Sequence, residues 1–100
     1  MALANAYIEA SERRVDWVHI PVLNRVDEAY FAPLADLKSR GSRVYLGVIH
    51  NMERYKERLA AARNFLPEFG VAAFCGFGRE PASEMPRVLN DHLTAVEVAR

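Results

Sequence analysis

One hundred residues are enough for one domain with a real core and fall far short of the ~250 that a complete (β/α)8 barrel needs. Hydrophobic residues at 51% and charged residues at 26% give the balance of a globular protein, and 13 Lys plus Arg against 13 Asp plus Glu leave no global field for nucleic acid or an anionic membrane. No apolar run approaches the ~18 residues of a membrane span, no basic-then-apolar leader opens the chain, and a lone cysteine excludes an internal disulfide. These features predict a cytoplasmic protein with neither nucleic acid nor a membrane as partner.

The first expected element is a helix over residues 4–13, with Ile8 turned inward. Residues 15–22 follow as a strand, rich in β-branched and aromatic types without clean polar alternation, as strands covered on both faces read. A second helix is predicted over 27–40 with Phe31, Leu34 and Leu37 inward; Pro33 disturbs its first half because proline lacks the intrahelical donor. Residues 44–50 read as the second strand. Tyr55, Leu59, Ala62 and Leu66, at spacings of four, three and four, mark the apolar stripe of a third helix. Its charged residues, Glu53, Lys56, Glu57, Arg58 and Arg63, are given to solvent.

The third strand covers 71–77, and a last helix runs from Ser83 towards the C-terminus with Met85, Leu89, Leu93 and Val96 inward. Gly41 and Gly70 stand between a helical stripe and a strand and are expected in left-handed C-terminal caps; Asn51 and Ser83 are expected as N-terminal caps. The order αβαβαβα predicts a single α/β domain over residues 1–100, with a three-stranded parallel sheet flanked by helices and right-handed crossovers.

In parallel β/α folds ligands bind at the C-terminal ends of the strands, where helix amides point and loops vary. The first strand ends near His19, Pro21 and Asn24, the second in His50 and Asn51, the third in Cys75, Gly76, Gly78 and Arg79. From that edge come His50 and Arg79 as candidate catalytic groups, Cys75 and His50 as candidate zinc ligands, and Asn51, Gly76, Gly78 and Arg79 as candidate substrate contacts. Each has a plainer reading. Cys75 suits a small buried core position, His50 a strand-end ring bonded to a neighbouring carbonyl, and Arg79 a loop cation paired with Glu80 or Glu84. His19 reads as a satisfied mid-strand histidine and His92 as structural or interfacial. The Gly76-Phe-Gly78-Arg79 turn lacks the spacing of a dinucleotide loop.

The stretch Val44-Tyr-Leu-Gly-Val-Ile-His50, followed after a helix by Phe69-Gly-Val-Ala-Ala-Phe-Cys-Gly-Phe-Gly-Arg79, resembles the C-terminal part of proteins in the uroporphyrinogen decarboxylase and cobalamin-independent methionine synthase superfamily. Trp17-Val-His-Ile-Pro-Val22 and Asp27-Glu-Ala-Tyr-Phe-Ala-Pro-Leu34 are similar to members of the same group. The resemblance implies a partial (β/α)8-barrel-like unit holding roughly the last three strands and their helices. It also implies a zinc site, because the methionine synthase branch binds a thiol-activating zinc through the cysteine that Cys75 matches, with its other ligands on earlier strands. Two departures replace polar groups: Phe74 stands where relatives carry an acidic residue, and Asn51-Met-Glu-Arg where they carry an Asp-Gly loop.

Three strands cannot close a barrel, and an apolar inner face around Leu46, Val48, Ala73 and Phe77 is expected to face water. The expected outcome is a homo-oligomer, a two-fold dimer whose partner covers that face, acting as a self-associating module with no enzyme activity as an isolated chain. The alternatives are a zinc-dependent methyltransferase-like or decarboxylase-like activity, or small-molecule binding, at a site completed across the oligomer interface.

Overall fold

The computed structural model describes all residues, 1–100. Helix α1 (Ala2–Ala10) precedes strand β1 (Trp17–Pro21). Helix α2 (Glu28–Phe31) starts at Asp27, whose carboxylate accepts from the Tyr30 amide at 3.2 Å while both its oxygens take the Arg25 guanidinium at 2.8 Å. Pro33 removes the donor that would continue α2, and the chain tightens into a 3-10 turn over Ala32–Asp36. Strand β2 (Arg43–Ile49) leads through a short turn, Met52–Arg54, into α3 (Tyr55–Arg63); β3 (Gly70–Ala73) leads through Ala82–Glu84 into α4 (Met85–Ala99).

The three strands form one parallel sheet in the order β1-β2-β3, with Trp17 opposite Arg43, Tyr45 opposite Gly70, and an irregularity between Leu46 and Ile49. The expected order αβαβαβα is therefore found. One face of the sheet, carrying Val44, Leu46 and Val48, packs under Phe31 and Leu34 and under Tyr55, Leu59, Ala62 and Ala95. Leu46 and Val48 are wholly buried there, which corrects the expectation that they line a water-facing inner surface. The other face is thinly covered. Trp17 meets Tyr45 edge-to-face at 6.5 Å and stays 62% exposed, while His19 reaches across Gly47 to the Ala73 carbonyl at 2.9 Å.

Helix α4 also differs from its expected phase. Val88 and Ala95 are buried, whereas Leu89, Leu93 and Val96 are 55%, 70% and 46% exposed. Two apolar stripes compete on this helix, and the one with the smaller side chains wins because it lets α4 approach the sheet. The Tyr55 hydroxyl then fixes that phase by donating to the Ala95 carbonyl at 2.8 Å. At the other end of the sheet, Asn5 ties α1 to the chain after the 3-10 turn: its Nδ2 donates to the Asp36 carbonyl at 2.9 Å and its Oδ1 accepts from the Lys38 amide at 2.7 Å.

Gly41 has the expected left-handed backbone, with φ +88°. Gly70 does not. It opens β3 with no positive φ, and its missing side chain makes room for the Tyr45 ring. Ser83 lies inside the turn before α4 and makes no capping bond.

Candidate functional site

Strand β2 ends on an unusual fixture. The Arg58 side chain, from the first turn of α3, is wholly buried under the sheet edge. Its Nη1 donates to the Val48 carbonyl at 2.9 Å, and its Nη2 donates to the His50 carbonyl and, at 2.9 Å, to that of Asn51. No carboxylate pairs with it, and its Nε has no partner. The guanidinium thus ties together three carbonyls across the end of β2 and the turn that follows, two of which, Val48 and Asn51, also accept from the amides of His50 and Arg54. Arg58 is therefore buried and not the solvent contact its charge predicts. It stands three residues after Tyr55 and four before Ala62, inside the apolar stripe, and that phase was the available signal.

Clamping these carbonyls orients His50. Its Nε2–H donates to the Val22 carbonyl at 2.6 Å, and its Nδ1 accepts from the Asn51 Nδ2 at 3.0 Å. Asn51, in the left-handed region with φ +46°, therefore serves the imidazole and does not cap a helix with its side chain. Burial, reinforced by the nearby Arg58 charge, holds the His50 pKa below its ordinary 6.5. The folded state resists protonating this ring, so the stability tied to it is present above the unfolded value and is lost as pH falls below it. Urea midpoints are expected to drop between about pH 7.5 and about pH 5.5, and less steeply in His50→Gln.

Beside His50 lies a cavity of about 260 Å³ between the ends of β2 and β3 and the first two turns of α4. His50, Asn51, Phe74, Gly76 and Phe77 line one side, and Glu80, Arg87, Val88, Asp91 and His92 the other. Phe74 stands edge-on to His50 at 5.2 Å between ring centres, and Phe77 edge-on to His92 at 5.3 Å. Arg87 bridges Glu84 at 2.8 Å and Asp91 at 3.1 Å. Of the residues singled out in the sequence, His50, Asn51 and Gly76 come together here. Cys75, Gly78 and Arg79 do not line the cavity.

Strand β3 stops at Ala73, four residues earlier than expected, and the chain leaves the sheet through Gly76 at φ +99°. Cys75 is consequently exposed, neither the buried core thiol nor the strand-end ligand of the sequence readings. Arg79 is exposed and forms no ion pair: Glu84 is taken by Arg87, and Glu80 does not reach it. A zinc ion does not fit these residues. A catalytic site needs about three protein ligands; no three His, Cys, Asp or Glu side chains lie within reach of one ion, and both His50 ring nitrogens are engaged by protein groups. The sequence missed Arg87, Asp91 and His92 as wall residues. The spacing of Glu84, Arg87 and Asp91, three and then four residues apart, shows that they share a helix face but not that the face meets a strand end.

No helix is long and apolar enough to cross a membrane. Comparison with known proteins returns no match among family models, curated proteins or solved structures.

Proposed function

We propose that this chain is a self-associating α/β module, a barrel-like piece without a complete active site, whose occupant on the β1 side is a second copy of itself. The observation that carries this reading is an apolar groove of about 640 Å³ between α1 and β1, bordered by Leu3, Tyr7 and Trp17, which are 85%, 72% and 62% exposed. Exposed apolar surface gathered in one groove marks an interaction site, whereas scattered single residues do not. Strand β1 is also the outer strand of the sheet on that side, so its outward backbone groups have no strand partner. A two-fold axis along this edge pairs β1 with its copy and closes both grooves at once, which an isologous contact does with one surface.

Light scattering at rising concentration tests the reading. The expected mass is twice the 11.3 kDa of the chain. Leu3→Glu with Tyr7→Glu is expected to weaken the dimer by about 10,000-fold or more, because burying a large apolar side chain contributes about 1.5–3 kcal/mol and the two-fold axis counts each position twice. Both positions lie outside the core, so the circular dichroism spectrum should be unchanged. A monomer mass at every concentration rules the proposal out.

A further inference from the structure

We infer that the cavity between the strand ends and α4 binds a small organic cation, an ammonium group carried on an aromatic body. The polar groups around it are one-sided. His92 donates through Nδ1 to the Val88 carbonyl at 2.8 Å, and in that tautomer Nε2 is the acceptor. Asp91 gives one oxygen to Arg87 and keeps the other free, and the Glu80 carboxylate has no hydrogen-bond or ion-pair partner. The Asn51 amide is engaged through Nδ2, which leaves its oxygen as a further acceptor.

Charge runs the same way. Among the lining residues the single cation, Arg87, is held between Glu84 and Asp91, and that trio keeps a net negative charge to which Glu80 adds another; Arg58 stands behind His50 with its donors on backbone carbonyls. The positive end of the α4 dipole fades within the first helical turn, and Asp91 and His92 lie in the second. The rings of Phe74 and Phe77 also line the cavity and supply apolar contact and a π surface for a cation. At about 260 Å³ the space suits a molecule of one ring and is below the ~300–1,000 Å³ of pockets for larger ligands. An anion would meet two carboxylates, with the Arg87 Nη2 as the one charged donor without a partner. Neither α1 nor β1 lines the cavity, so this inference is independent of self-association.

The test is an amide NMR titration of the full chain at low salt with 2-phenylethylammonium, run beside phenylacetate and 2-phenylethanol. The ammonium is expected to shift Gly76, Phe77, Asp91 and His92 and to bind about ten-fold more tightly than either analogue, the worth of one charge-assisted hydrogen bond. Glu80→Gln with Asp91→Asn is expected to erase that preference while leaving the weak binding of the alcohol unchanged. The comparison among the three probes on the unaltered chain decides the matter even if the double variant folds poorly. Equal or tighter binding of phenylacetate overturns the inference, as do ammonium-induced shifts confined to other residues or no shift at millimolar ammonium.

Discussion

Arg58→Ala is expected to lower the stability of the domain by about 3–5 kcal/mol, a large share of what a chain of this size has. The guanidinium donates to the carbonyls of Val48, His50 and Asn51 from a wholly buried position. Hydrogen bonds from a charged donor contribute roughly 1.5–3 kcal/mol each, and the loss is of those bonds alone at Val48 and Asn51, whose carbonyls keep the amides of His50 at 2.9 Å and Arg54 at 3.2 Å. Two terms act against the full sum. A buried cation with no carboxylate partner carries its own desolvation penalty, and its Nε is unsatisfied. Their removal in the variant offsets part of the loss, which places the expected figure at the lower end of a three-bond total. Arg58→Lys should recover only a minor part, because an ammonium is a point donor and cannot span carbonyls that a planar fork reaches together. Urea midpoints of the two variants measure this, with the His50 ring resonances as a second readout of the freed strand end. A midpoint for Arg58→Ala equal to that of the unaltered chain would show that the carbonyls find water instead.

The same residue explains why the sequence disclosed the architecture better than the site. The alternation of strands and helices follows from composition and period, and both survive one misplaced residue. Tyr55, Leu59 and Ala62 fall on the buried face of α3 as their spacing requires. Phase within an amphipathic helix is less forgiving. On α4 the stripe of large apolar side chains lost to the stripe of Val88 and Ala95, because the fit to the sheet and the Tyr55 hydrogen bond are tertiary facts with no local signature. At the site, a charged residue is assigned to solvent by default, and only its position within the apolar phase argues for burial at 58. Cys75 was misplaced for a third reason. The run 71–77 has strand composition throughout, but the chain turns away after Ala73 to cross Gly47. Composition sets the longest strand a run can form, and only its neighbours show where it stops.

That crossing gives the second large effect. Gly47→Ala is expected to cost about 3 kcal/mol, the upper end of the usual over-packing range. A Cβ at position 47 would stand 2.7 Å from the Phe74 carbonyl oxygen, 2.9 Å from that of Ala73 and 2.8 Å from the His19 Nε2. Two of these neighbours are backbone, so relief requires moving the chain that leaves β3, and with it the hydrogen bond from His19 to the Ala73 carbonyl. Removing the ring with His19→Ala therefore should not rescue Gly47→Ala. Gly70→Ala is the contrasting case. Its Cβ would meet the Tyr45 ring at 2.5 Å, a nominally worse clash, but the neighbour is one half-buried side chain. Swinging that ring aside should hold the cost to about 1 kcal/mol, and Tyr45→Ala should remove the penalty altogether in a double-mutant cycle. Denaturation midpoints for the two cycles separate the cases. Rescue of Gly47→Ala by His19→Ala would mean that the ring, and not the returning backbone, is what position 47 accommodates.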